Sequence, residues 1–192
     1  MTDFEDWVVA ARAGGGWTFE RIWHELAGQV AGYLRARGVV AAEDATSEVF
    51  LAAFKGLPSF EGDGAAFRSW LFTIAHRRSV DEYRRVLRSA LHVDPVPASG
   101  GESTPSAESL ALNDLHLGEL LAGLPPAQRE VIWLRFVVDL SVDEVARVTE
   151  RPVTAVKQLQ RRGIDRLRRH LDGATSQEPI SPAVLHTIAE TR

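Results

Sequence analysis

Between Arg151 and His170 the chain carries Arg151, Lys157, Arg161, Arg162, Arg166, Arg168 and Arg169 against a single acid, Asp165. Solvated helix faces ordinarily mix signs to avoid self-repulsion, so a run this uniformly cationic suits the neutralisation of phosphates. A second cationic set, Arg68, Arg77, Arg78, Arg84, Arg85 and Arg88, is interleaved with Phe67, Trp70 and Phe72. Aromatics beside arginines on a helix can stack on unpaired bases and hold the phosphates between them. Simple packing is the competing use of those rings, and the better one for Trp70.

Catalytic chemistry finds no such support. Gly14-Gly15-Gly16 is followed by no Lys-Ser or Lys-Thr and preceded by no strand, so it reads as a hinge and not a phosphate loop. His24-Glu25 lacks the second histidine four residues on that a zinc protease helix requires, and the six histidines are scattered. No nucleophile, base and orienter come together, so neither catalytic residues nor a cofactor or metal are expected. The absence of cysteine excludes disulfides, thiolate metal sites and direct thiol redox sensing.

The elements that must position the basic segments are helical throughout. Ser141 followed by Glu144 is a capping-box signature, opening a helix with Val142, Val145, Ala146 and Thr149 inward. Glu150-Arg151 is a short turn, and Pro152 suits the first turn of a new helix starting near Val153. That helix carries Val153, Val156, Leu159, Ile164, Leu167 and Leu171 as a drifting apolar stripe. A helix-turn-helix whose second helix enters the major groove accounts for both the angle and the charge.

Upstream, helices are expected over Phe4–Ala13, Thr18–Arg37 (with Phe19, Ile22, Trp23, Leu26, Val30 and Leu34 inward), Ala42–Lys55 (with Ala45, Val49, Ala52 and Ala53 inward) and Phe67–Arg88. In the last of these Trp70, Leu71, Ile74, Ala75, Val80 and Leu87 form the apolar side. Residues Ser89 to Ser106 shift abruptly to Pro, Ser, Gly and acids, a flexible linker by composition. Helices at Ala107–Ala122 and Ala127–Val138 then lead into the helix-turn-helix. The expected fold is all-α, two small helical domains joined by that linker, with a polar tail after Leu171.

At 192 residues two small cores are affordable. The net charge of -4 means that nucleic-acid contact has to come from the local basic segments. The amino terminus begins acidic and forms no secretory signal, and no apolar run approaches membrane-spanning length, so a cytoplasmic protein without membrane insertion is expected.

Three stretches in order carry a family resemblance. SFEGDGAAFRSWLFTIAHRRSVDEYRR resembles the promoter-melting domain of bacterial extracytoplasmic-function sigma factors of the sigma-70 family, where F-R-x-W-L-x-x-I-A, then Asp, then Arg recurs. AEDATSEVFLAAFKGL resembles that family's core-polymerase-binding helix, and LPPAQREVIWLRFVVDLSVDEVARVTERPVTAVKQLQRRGIDRLR its promoter-reading carboxy-terminal domain. The likeness covers roughly residues 18 to 171. It implies an extension at 1–17, a sigma region 2-like domain at 18–88, a linker at 89–106, a region 4-like domain at 107–171 and a tail at 172–192.

The resemblance further implies roles. Asp44, Ser47, Glu48, Phe50 and Lys55 match the helix that binds the clamp of the largest RNA polymerase subunit, the carboxy-terminal domain meeting the flap. The loop Phe60 to Ala66, with Arg68, Trp70, Arg77, Asp81, Arg84 and Arg85, matches the part that recognises and melts the minus-ten element. Arg151, Thr154, Lys157, Gln158, Arg161 and Arg162 match the part that reads the minus-thirty-five element, with Gln158 a base-reading candidate. An anti-sigma factor is implied as a controlling partner. The family usually has Gln at Ser47, often Asn at Arg77, Gly near Glu150 and Thr at Ala155; a non-Gly residue at 150 points to a different turn geometry. The rival is a stand-alone helix-turn-helix regulator, which explains residues 107 to 171 but leaves Ala42 to Arg85 unexplained.

Overall fold

A computed structural model of the protein describes residues 2–12, 16–90 and 120–174, and among these it contains helices and short connections only. The first four helices are α1 (Thr2–Arg12), α2 (Gly16–Ala36), α3 (Ala42–Gly56) and α4 (Gly64–Ala90), with a single 3-10 turn at Leu57–Ser59. α1 is no loose extension: Val8 and Ala11 are buried, and Phe4 and Trp7 pack on the same core.

α2 buries Ile22, Leu26, Val30, Tyr33 and Leu34 and stops at Gly38, whose φ of 82° is the left-handed conformation that glycine adopts without a Cβ penalty. α3 begins with Glu43 and Asp44 in its first turn, where carboxylates favour the helix dipole. Of its expected inward residues Ala45, Val49 and Ala53 are buried, whereas Ala52 is exposed; Thr46 and Phe50 take up the core instead. α4 starts three residues before the expected position because Asp63 caps it, its Oδ1 accepting from the Ala66 amide at 2.7 Å. Leu71 and Ala75 of the expected apolar side are buried, Trp70, Ile74 and Val80 are half-buried, and Leu87, in the last turns of α4, is 45% exposed.

The second group is α5 (Pro126–Phe136), α6 (Val142–Val148) and α7 (Val153–Ala174), preceded by a helical turn at 120–122. Arg129 gathers the carbonyls of Leu121 (3.0 Å), Ala122 (2.9 Å) and Leu124 (3.0 Å) where that turn ends. The capping box at α6 is complete: Ser141 Oγ accepts from the Glu144 amide at 3.2 Å, and the Ser141 amide donates to Glu144 Oε2 at 2.7 Å. Valines 145 and 148, with Ala146 and Thr149, are buried under it. Glu150 has φ 53°, so the turn keeps the left-handed geometry that glycine would adopt there, and no different turn is needed.

α7 begins at Val153 as the proline predicts. Its Val156, Gly163 and Leu167 are buried, with Val153, Leu159, Ile164 and Leu171 half-buried beside them. Gly163 is required by packing: a Cβ there would lie 2.8 Å from Ile132 Cγ1 of α5. The expected linker beyond Ala90, most of the helix at 107–122 and the tail beyond Ala174 lie outside the described residues.

Two substitutions check this local account by thermal denaturation. Ser141→Ala removes the cap and should cost about 1 kcal/mol. Glu150→Gly relieves a left-handed residue and should gain about 1 kcal/mol. A Glu150→Gly chain with a lower Tm than its parent would contradict the turn assignment.

Candidate nucleic-acid interface

Thr154, Lys157, Gln158, Arg161 and Arg162 fall at helical steps of three and four on α7, and all five are exposed. They form one continuous face opposite Val156, Gly163 and Leu167, presented at an angle by α6 and the Glu150-Arg151 turn. Arg135 of α5 braces this helix from behind, its Nε donating to Gln160 Oε1 at 3.3 Å and its Nη1 to the Leu140 carbonyl. Arg151 stands apart from the face. Its guanidinium turns inward and donates to Glu130 Oε2 at 3.1 Å.

On α4, Arg77, Asp81, Arg84 and Arg85 are exposed and share one side of the helix. Asp81 lies 3.9 Å from Arg84, and Arg85 pairs with Glu82 at 2.6 Å, whose carboxyl that hydrogen bond holds below the usual range. Arg68 does not join them. Nine residues from Arg77, it projects from the opposite side, with its guanidinium 4.6 Å over the Phe4 ring and 3.9 Å from Glu25. Phe60 and Trp70 are half-buried and stacked on each other at 4.9 Å, with Phe67 edge-on to Phe60 at 5.7 Å. The loop from Phe60 therefore rests on an aromatic wall at the start of α4.

Asp44, Ser47, Glu48 and Lys55 line one exposed side of α3. Phe50, expected among them, is 1% exposed and packs on Trp23 at 4.7 Å and Phe54 at 5.6 Å, so it is a core residue and the expectation is corrected. The apolar residue that does reach this surface is Leu51, 56% exposed and one helical turn from Ser47. Glu48 reaches across to Arg78 of α4 at 2.7 Å, linking the two helices.

Two family models match the chain, Sigma-70 region 2 over residues 22–89 and Sigma-70, region 4 over residues 120–169. Among curated relatives, the ECF RNA polymerase sigma factor RpoE of Cereibacter sphaeroides is 30% identical over 88% of this chain and 97% of its own. The ECF RNA polymerase sigma factor BldN of Streptomyces coelicolor is 35% identical over 85% of this chain, a match spanning 64% of BldN. The chain is an ECF sigma factor of the sigma-70 family.

As a sigma factor it is a non-enzymatic initiation protein that binds core RNA polymerase and promoter DNA. The region 2 match covers the residues that a stand-alone helix-turn-helix regulator leaves unexplained, and disposes of that rival. A solved structure of CnrH in complex with the cytosolic domain of CnrY matches with a TM-score of 0.59 at 25% identity, over 89% of this chain and 99% of that one. RpoE from Bartonella quintana, solved with the anti-sigma factor NepR, matches in fold with a TM-score of 0.64 at 24% identity, over 80% of this chain and 96% of that one. No helix among the described residues is long and apolar enough to cross a membrane, and no group of three or more His, Asp or Glu among them could hold a metal ion.

One cluster in this sigma factor was not expected from the sequence. Glu130 of α5 is fully buried, and its carboxylate is met from both halves of the chain. Tyr33 Oη donates to Oε1 at 2.9 Å, His76 Nδ1 lies 3.0 Å from the same oxygen, and Arg37 Nη1 donates to Oε2 at 3.2 Å. Arg151 completes the shell, and Ser79 Oγ holds Arg37 Nε at 3.1 Å. The only advance signal was a glutamate among apolar residues on the inward side of a helix, which is uninformative without its partners.

Burial alone would push the Glu130 carboxyl up, but the hydrogen bond from His76, the Arg37 charge and the Tyr33 hydroxyl hold it below the usual value of 4.5. Tyr33 goes the other way, raised well above 10.0 by burial and by the Glu130 charge. Because Glu130 binds its proton more weakly folded than unfolded, its contribution is present above about pH 4.5 and is lost as pH falls through the lowered value. Glu130→Gln should therefore flatten part of the acid limb of a Tm-versus-pH profile, and should cost about 3 kcal/mol or more at pH 7 by leaving Arg37 and Arg151 without their anion. Parallel acid limbs for the two proteins would contradict the assignment.

Proposed function

We propose that the three exposed faces divide the work of initiation. Asp44, Ser47, Glu48 and Lys55, with Leu51 in place of Phe50, dock on the polymerase clamp. The loop from Phe60 to Ala66 and the α4 face of Arg77, Asp81, Arg84 and Arg85 take the minus-ten element as it opens. Thr154, Lys157, Gln158, Arg161 and Arg162 on α7 read the minus-thirty-five element. The observation that carries this reading is the α7 face: five residues of the right types on one exposed side of a helix presented by a capped helix-turn-helix.

The physics of the two steps supports the division. Reading a duplex needs a rigid helix in the major groove, whereas opening one needs aromatic and cationic surface for unstacked bases and bare phosphates. Phe60 and Trp70, exposed only in part and already stacked, serve as the wall on which such a base can lie. Arg68, held by Phe4 and Glu25, ties α4 to α1 and α2 and is left out of the DNA-binding set. A cytoplasmic protein is proposed, with an anti-sigma factor as its controlling partner. That proposal is supported by the family and by the complex in which the CnrH relative was solved.

Run-off transcription with core polymerase on genomic fragments tests the reading, with initiation from discrete start sites only when the protein is present. Lys157→Ala should weaken all such promoters alike and lower the salt slope of binding by about 1, whereas Gln158→Ala should cost about 1–3 kcal/mol of discrimination at a single base pair. Start-site choice and salt dependence unchanged in both variants would sink the minus-thirty-five assignment.

A further inference from the structure

We infer that α1 belongs to the minus-ten apparatus: through Phe4 it holds the Phe60–Ala66 loop in its base-receiving shape, Phe4 being a positioning residue that does not itself touch DNA. The inference rests on the proposed assignment of that loop to the minus-ten element and deepens it.

The loop is drawn tight by its own residues. Asp63 Oδ1 accepts from the Ala66 amide, and a Cβ on Gly62 would lie 2.8 Å from Phe60 Cζ and 2.9 Å from the Ala66 Cβ. Where it passes into α4 it lies directly on α1. A Cβ on Gly64 would meet Phe4 Cδ1 at 3.0 Å and Glu5 Cα at 3.4 Å, so the loop backbone runs against the first helix with little room for a side chain. From Phe4 the contact continues inward. Its ring lies 6.2 Å from that of Phe67, which is fully buried and in turn meets Phe60 and Trp70 at 5.7 Å each. One intermediate ring therefore separates Phe4 from the stacked pair on which the base is proposed to lie.

α1 is braced for this task. Val8 and Ala11 bury its inner side, the Arg21 guanidinium of α2 sits 5.4 Å over the Trp7 ring, and that of Arg68 on α4 sits 4.6 Å over Phe4. An unstacked base is held best by a pocket that is already formed, because shaping the loop at the moment of capture would cost ordering entropy. Direct contact with the strand is the other use α1 could have, and its charge opposes it. Glu5 and Asp6 are exposed on the turn beside the loop and repel phosphates, and no Lys or Arg precedes Arg12. The helix therefore acts on DNA through the loop.

The test uses core polymerase loaded with the full chain, on a forked promoter fragment from a start site found by run-off transcription. Its minus-ten bases are unpaired on the non-template strand and replaced one at a time by an abasic site. The wild type should lose binding chiefly at one position, by about five- to a hundredfold, the worth of one base stacked on aromatic surface. In Phe4→Ala most of that penalty should vanish, while the penalties at the other positions and the binding of a minus-thirty-five duplex stay as they were. Phe4→Leu keeps the apolar bulk without the flat ring; it should show part of the same loss, and it carries the test if Phe4→Ala is unstable. In the free protein, amide exchange over residues 62–67 should quicken about tenfold in both variants. A penalty or an exchange rate that neither variant changes would overturn the inference and leave the loop assignment standing. Loss spread evenly over all positions would do the same, since that is what a merely structural role gives. A wild type with no favoured position would sink the loop assignment, and the inference with it.

Discussion

The arrangement of the described residues turns on one buried carboxylate. Glu130 has no exposed surface, and an isolated anion in that position would cost more than a small helical core supplies. Its oxygens therefore dictate where four donors must be. α2 has to bring Tyr33 and Arg37 to the same place, α4 has to bring His76, and the turn before α7 has to bring Arg151. Glycine at position 32 follows from that constraint, because only without a Cβ can α2 approach Trp133 closely enough to close the shell.

Satisfying Glu130 in this way leaves the working surfaces free. The sides of α3, α4 and α7 that carry the polar and cationic residues all point away from the contact and remain exposed. The chain thus separates a buried contact that fixes the relative position of the halves from the exposed faces proposed to engage polymerase and DNA. The ion pair Glu48–Arg78 joins α3 to α4, and Arg85–Glu82 lies within α4. Both are open to solvent on at least one side, and such pairs are worth little singly, so they orient side chains more than they hold the fold.

What was legible in the sequence is what local physics decides. The Ser141/Glu144 box, the start of α7 after Pro152 and the inward side of α2 depend on residues within a turn or two of each other, and each appears where the residues put it. The spacing of Thr154, Lys157, Gln158, Arg161 and Arg162 is likewise a local property and yields one face. Failures begin where a side chain's fate is set by a distant element. Phe50 and Ala52 exchange places because Trp23 and Phe54 decide which residues of α3 are inside. Arg68 leaves the cationic face because Phe4 lies on the other side of α4. Arg151, one more cation by composition, is claimed by a glutamate 21 residues earlier. Gly32 reads as a helix-weakening residue until Trp133 is seen against it, and neither signals the other at a separation of about a hundred residues.

The most direct test uses the fact that the chain has no cysteine of its own. Spin labels attached to Val86→Cys on α4 and His170→Cys on α7, both exposed positions, report the distance between these two helices. One narrow, short distance is expected in the free protein, within the about 45 Å of a compact chain, and Glu130→Gln should broaden it and move it to longer values. A broad distribution in the unsubstituted protein, or a narrow one that Glu130→Gln leaves unchanged, would contradict the central place of Glu130.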